Sequence, residues 1–326
     1  MKIRIFLIAL FPLFVTLLLY ACKRNEDRQT PKKLRVVASI FPVYDFARNV
    51  GKDRADVSLL LPPGVETHSF EPKPGDVTRI NESDIFIYTG SHMEPWAGDI
   101  ASGIKGGALL IIEAGEGVVL EKWRIEASEE KGRDKYPVRE ADKLTHEHDM
   151  IDPHIWLDFS NAEKMVNNIL EGFVKKDPED SDFYIKNAET YRSKLRDLDG
   201  TYEKALSNCK KTVFIHGGHF AFSYLARRYG LKYLSAYRGF SPNAEPTPKD
   251  LVDLIERMKK DNIKYIFYEE LIEPRIAEMI SRETGAKLLR LHGAHNVSKD
   301  ELDRDVTFIS LMTENLENLK IGLECQ

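Results

Sequence analysis

Short runs rich in β-branched and aromatic residues alternate with helical patterns twice along this chain, once on each side of a single long helical stretch. That arrangement admits few folds. Before the long stretch, residues 34–40, 56–61, 85–88 and 109–112 read as strands, separated by helical patterns at 43–50, 74–81 and 94–104. After it, residues 212–216, 233–236, 265–268 and 287–291 repeat the rhythm, with helices at 219–229, 248–260, 274–284 and 306–323. Strands that alternate with helices pair in parallel, each crossover helix covering the sheet. Between the halves, residues 179–208 keep Phe183, Tyr184, Tyr191, Leu195, Leu198, Tyr202 and Leu206 on one apolar stripe. A helix of roughly 28 residues is about 40 Å long, enough to lie along both halves. Two shorter helices hinged at Gly200 would satisfy the same pattern, but one stiff connector is the expectation. The expected fold class is therefore α/β: two parallel-sheet domains linked by a long rigid helix. The boundaries fall at 34–176 for the N-terminal domain, 177–208 for the linking helix and 209–326 for the C-terminal domain.

The first residues indicate a compartment. Lys2 and Arg4 precede an apolar run over 5–20, and Leu19-Tyr20-Ala21-Cys22 closes it with a small residue before the cysteine. This is the pattern of a lipoprotein signal peptide, 1–22, in which Cys22 is lipidated. A membrane-spanning anchor is the alternative, because the run approaches the ~20 residues that cross a bilayer. Residues 23–33 hold no apolar side chain and read as a tether. The expectation is an extracytoplasmic domain anchored to a membrane, in the periplasm or on the outer face of the cell. There, Cys209 and Cys325 can form a disulfide, although two isolated buried thiols fit the sequence equally well. Net charge is -5 with both signs interspersed, and no basic stripe points to nucleic acid.

The chemistry lies in the histidines, nine in all. His68 follows Pro62-Pro63-Gly64, His154 sits in Asp152-Pro153-His154-Ile155-Trp156-Leu157-Asp158, and His219 follows the strand that His216 ends. Neutral imidazole is a common zinc ligand. Histidines at strand ends can converge on one cleft, because α/β folds bind ligands outside the carboxyl ends of their strands. Asp152 or Asp158 can accept from the ring nitrogen of His154 that is turned away from a metal. The charged stretch 113–150 lacks periodicity and reads as a surface excursion. Its His146-Glu147-His148 either captures metal transiently or is plain solvated loop.

The lipobox, Pro62-Pro63-Gly64-Val65-Glu66-Thr67-His68-Ser69-Phe70-Glu71-Pro72, the Asp152–Asp158 motif, the stretch His219-Phe220-Ala221-Phe222-Ser223-Tyr224-Leu225 and the long central helix together resemble the substrate-binding lipoproteins of zinc and manganese ABC importers. The resemblance covers residues 34–323 and implies a metal held between two α/β domains by His68, His154 and His219. It also implies a fourth ligand after the last strand. The family usually places a carboxylate there, whereas this chain offers His295, with His292, Glu66 or water as alternatives. Three or four imidazoles form a softer set than the carboxylate-rich sites of manganese-selective relatives, so Zn2+ is expected before Mn2+. The implied partners are a permease and its ATPase, with the binding protein a monomer and not an enzyme. A metal-dependent adhesin is an alternative, as is a manganese- or iron-binding homologue. A zinc hydrolase would need a base such as Glu66 and has no HExxH-type motif to support it.

Overall fold

The computed structural model describes residues 33–103, 108–123, 150–237 and 246–326. The leader with Cys22, residues 23–32 of the tether and the His146/His148 tract lie outside the described residues. Within Leu34–Gln326, one compact unit, two sheets form. The first comprises β1 (Leu34–Ala38), β2 (Ala55–Leu59), β3 (Ile85–Tyr88) and β4 (Leu110–Glu113) in the order β2-β1-β3-β4. β5 (Lys122–Trp123) and β6 (Met150–Ile151) make a small antiparallel ladder. The second sheet holds β7 (Val213–His216), β8 (Lys232–Ser235), β9 (Tyr265–Tyr268) and β10 (Lys287–Arg290) in the order β10-β9-β7-β8. Every pairing within these two sheets is parallel. Counted from its own first strand, each sheet has the same order, so each has a crevice where successive connections leave in opposite directions. In the first sheet that crevice lies between β1 and β3, and in the second between β7 and β9.

The helices are α1 (Phe41–Gly51), α2 (Pro74–Asn81), α3 (Pro95–Gly103), α4 (Phe159–Lys176), α5 (Ser181–Leu206), α6 (Ser223–Arg228), α7 (Pro248–Lys260), α8 (Arg275–Thr284), α9 (Lys299–Asp303) and α10 (Phe308–Gly322). The connector α5 runs unbroken through Gly200 for 26 residues. It buries Tyr184, Ala188, Tyr191, Leu195, Leu198, Tyr202 and Leu206, spacings of three and four that put all seven on one face. Tyr191 donates to the buried Asp45 of α1 at 2.7 Å, while Tyr202 donates to the Met312 carbonyl of α10 at 2.5 Å. One apolar core therefore runs continuously from Val36 in the first sheet to Leu323 beyond α10. Two sheets sharing one core leave little room for a loose hinge.

One local expectation needs correction. The helix expected from His219 starts only at Ser223, leaving His219 in a buried loop. After β10, Asp300 lies in the short helix α9, whose N-terminus Ser298 and Glu301 close reciprocally. Of the stretch 113–150, residues 113–123 and 150 are described, and they are held to the first half of the molecule. Ala114 is fully buried, and the Asp152 amide donates to the Glu121 carbonyl at 3.0 Å. Cys209 and Cys325 are joined by a disulfide across a separation of 116 residues.

Candidate metal centre

Each of the four histidines is brought to one point by a different connection. His68 comes from the loop after β2. Gly64 turns there with φ 79°, a conformation that spares glycine alone a steric cost, and its amide donates to the Val297 carbonyl at 2.9 Å. The neighbouring Asn296 reaches back from the second half of the chain and donates to the Pro62 and Val65 carbonyls, both at 2.8 Å. His154 precedes a single 3-10 turn, Ile155–Leu157, and the Trp156 indole donates to the Gly293 carbonyl at 2.8 Å. His219 follows β7, and His295 follows β10, its carbonyl accepting from the Phe41 amide at 3.1 Å. The loops bearing the ligands are thus tied to one another as well as to their own sheets.

The donor atoms of His68, His154, His219 and His295 all lie within 4.8 Å of one another. His154 Nε2 is 3.2 Å from His68 Nε2 and 3.4 Å from His219 Nε2. A tetrahedron with zinc–nitrogen bonds of about 2.0–2.1 Å has edges of about 3.3–3.4 Å, so these two spacings already match it. His154, His219 and His295 are buried and His68 partly so, which leaves His68 as the ligand nearest solvent.

The opposite side of the rings explains why the Nε2 atoms point inward. His154 Nδ1 lies 2.7 Å from Asp152 Oδ1, His219 Nδ1 contacts the Glu269 carboxylate, and His295 Nδ1 lies 3.1 Å from Glu270 Oε1. A carboxylate at Nδ1 holds the proton there and leaves the Nε2 lone pair facing the centre. Three such lone pairs, backed by three acidic groups, make a site that favours a cation. Burial and the neighbouring rings push the His68 pKa down to about 2, and the same causes hold His154 well below the ordinary imidazole range. His295 differs. Burial works to lower its pKa, but the hydrogen bond and charge of Glu270 outweigh it and the pKa rises. Glu270 itself, despite burial, is drawn down to about 2 by His292 and His295. Burial pushes Asp152 up to about 7, against the donors Ser223 and the His154 amide.

The other expected candidates fall outside the cluster. Glu66 accepts from the His68 and Ser69 amides, both at 2.8 Å, and so shapes the loop. Asp158 does not orient His154; it caps α4 by accepting from the Ser160 amide at 2.8 Å. His216 is fully buried at the end of β7 and accepts from the Gly218 amide at 3.2 Å. His292 stands behind the site, its Nδ1 3.3 Å from the Glu270 oxygen that faces His295. Glu269 and Glu270 escaped the reading of the sequence, although a signal existed. Two acids directly follow β9, beside the crevice of the second sheet. In the first sheet the equivalent crevice is filled by Glu94, which accepts from Ser39 and from the Thr89 and Gly90 amides at 3.2 Å. Glu270→Gln keeps the shape but loses the anionic acceptor, and is expected to weaken zinc binding by about 10–100-fold in chelator competition. Affinity within about twofold of the natural chain would remove Glu270 from the site's support.

Two α/β lobes on a rigid helix, with imidazoles converging between their loops, are the architecture of a ligand-capturing protein with a donor set for a borderline-soft cation. The chain belongs to the ZnuA family, described as zinc-uptake complex component A, periplasmic, whose profile matches residues 36–322. It is 35% identical over 311 residues to the high-affinity zinc uptake system protein ZnuA of Bacillus subtilis (strain 168), covering 94% of each chain. To the zinc-binding lipoprotein AdcA of Streptococcus pneumoniae (strain ATCC BAA-255 / R6) it is 34% identical over 319 residues, which span 98% of this chain and 60% of that longer protein. The crystal structure of the Zn(II)-bound ZnuA-like domain of Streptococcus pneumoniae AdcA superposes with a TM-score of 0.73 at 31% identity, covering 90% of this chain and 99% of that one.

Proposed function

We propose that this chain is the extracytoplasmic binding component of a zinc ABC importer. It captures Zn2+ through His68, His154, His219 and His295 and delivers it to a membrane permease driven by its ATPase. The observation that carries this reading is the convergence of four imidazoles, three of them with an acidic group at Nδ1. An all-nitrogen tetrahedral set suits zinc better than manganese, which prefers oxygen ligands and higher coordination. The relatives named for zinc uptake or zinc binding support the same cargo. Lipidation at Cys22 would hold the protein at the membrane where the permease lies. Among the described residues no helix is long and apolar enough to cross a membrane. Of the other readings, a hydrolase is the least supported, because both oxygens of Glu66 are engaged by backbone amides.

Reloading the stripped protein with mixed divalent ions, followed by elemental analysis, tests the reading. One zinc per chain is the expected result, and preferential manganese loading or no stoichiometric metal would overturn it. The pH dependence gives a sharper signature. Only a neutral ring can ligate, so a proton on His295 must leave as zinc binds. Because the His295 pKa is raised above its usual 6.5, affinity should be fully developed above that raised value and fall as pH drops through it. His68 and His154 stay neutral throughout this window. Zinc binding should therefore release from these three rings a proton count that rises toward one as pH falls through the raised His295 value, and three or more would contradict the assignment.

A further inference from the structure

The side chain of Asp152 is shared between the two halves of the molecule. Its Oδ1 faces His154, accepting from that residue's amide at 2.9 Å and lying 2.7 Å from its Nδ1. Its Oδ2 accepts from the hydroxyl of Ser223. Ser223 opens α6, four positions beyond His219, on the part of the chain that packs against the second sheet. The adjoining Tyr224 hydroxyl donates to the Asp152 carbonyl at 3.2 Å and accepts from the Glu121 amide at 2.9 Å. At the far end of α6, Arg228 pairs with Asp158 at 2.9 Å and donates through Nε to Asp199 of α5 at 2.6 Å. The helix after one ligand is thereby fastened to both ends of the Asp152–Asp158 segment that carries another.

We propose that Ser223 is a positioning residue of the metal site, fixing the ring of His154 through the Asp152 carboxylate and so setting its spacing from His219. This rests on the four-histidine zinc reading and deepens it. Asp152 is buried, and Oδ2 has Ser223 as its hydrogen-bonding partner across the lobes. Without that hydroxyl, a buried carboxylate oxygen loses its donor, and the carboxylate can rotate away from His154 Nδ1. The cost then appears at the ligand, whose Nε2 lone pair is no longer held on the centre. A hydroxyl that merely stabilised α6 would lower the stability of the protein and leave the site's geometry alone.

The test uses the mature chain with Ser223→Ala, Ser223→Thr and Asp152→Asn, and Ser223→Ala combined with Asp152→Asn. Zinc affinity is read by chelator competition, and coordination by the visible absorption of the cobalt(II)-substituted protein. Ser223→Ala should weaken zinc binding by about tenfold, chiefly through faster release, and alter the cobalt spectrum. Ser223→Thr, which keeps the hydroxyl, should restore both to within about twofold. On the Asp152→Asn background the loss of Ser223 should add little, because the carboxylate through which it acts is already replaced by a neutral amide. Natural affinity and spectrum in Ser223→Ala would overturn the inference, as would a full additional loss in the double variant. A natural chain that binds no zinc would overturn the zinc reading and this inference together. Full zinc binding with an indifferent Ser223→Ala would overturn this inference alone.

Discussion

Replacing His154 with alanine is expected to weaken zinc binding by more than about a hundredfold. Closed four-ligand zinc sites bind with about 10–16 kcal/mol, so an equal share is roughly 3 kcal/mol per ligand. His154 should exceed that share. Its Nε2 is the atom near both His68 and His219, and its removal leaves Asp152 Oδ1 without the ring it faces in a fully desolvated place. His295→Ala should cost a comparable amount, since His295 is the residue that turns a three-imidazole set into a closed tetrahedron. Elemental analysis and chelator competition on both variants, with far-ultraviolet circular dichroism to verify the fold, decide the matter. A loss below about tenfold in His154→Ala would place the metal elsewhere. A large loss in His154→Ala alone would leave three imidazoles and move the fourth ligand from His295 to another group.

Whether a feature could be read from the sequence depended on whether its cause is local or tertiary. The strands were legible because each is a short β-branched run in a sheet covered by crossover helices. The connector was legible because its apolar face repeats at helical spacing from Tyr184 to Leu206. Gly200 raised the question of a hinge, but a Cβ there would meet nothing within 4 Å, so glycine at that position reflects no packing demand. The stretch after His216 misled for the opposite reason. Phe220, Ala221 and Phe222 look like the start of a helix, yet the His219 amide turns to Glu269 at 3.2 Å and the Ala221 amide to the Tyr233 hydroxyl at 3.2 Å. Gly218 is needed there: a Cβ would sit 2.3 Å from Glu269 Oε1 and 2.7 Å from His216 Cε1. The same tertiary logic hid the acids. His68, His154, His219 and His295 announce themselves as imidazoles in loops, whereas Glu269 and Glu270 act only through the rings that the fold lays against them. Asp158 and Asp152 are equally acidic in the sequence, and only the folded turn, which lays Asp152 on the His154 ring and gives Asp158 to the cap of α4, tells which one supports His154.

Opening the Cys209–Cys325 bridge should produce a large loss of stability from a change far outside the metal centre. The bond closes a separation of 116 residues, covering the whole second sheet and its helices. In the chain-entropy account, a loop of about 100 residues restricts the unfolded ensemble by about 4.7 kcal/mol. The folded state needs the bond less, because other contacts already fix the tail. Leu323 is buried, the Lys211 amide donates to its carbonyl at 3.0 Å, and the Gln326 amide donates to the Asn208 carbonyl at 3.3 Å. The double variant Cys209→Ser, Cys325→Ser should therefore fold to the same structure and lose about 3–5 kcal/mol, a fall in melting temperature of roughly 10 °C. None of the four histidines contacts the bridge, so zinc affinity at a temperature well below melting should be unchanged. Calorimetry of the natural chain with and without reductant, beside the double variant, checks both statements. An unchanged melting temperature in the double variant would mean that the tail's own contacts carry the stability. A fall on reduction that the variant fails to match would mean that the serines, not the loss of the covalent link, determine its behaviour. The effect should also be separable from metal binding, because excess zinc raises the melting temperature of both forms by the same mass-action term when their affinities are equal.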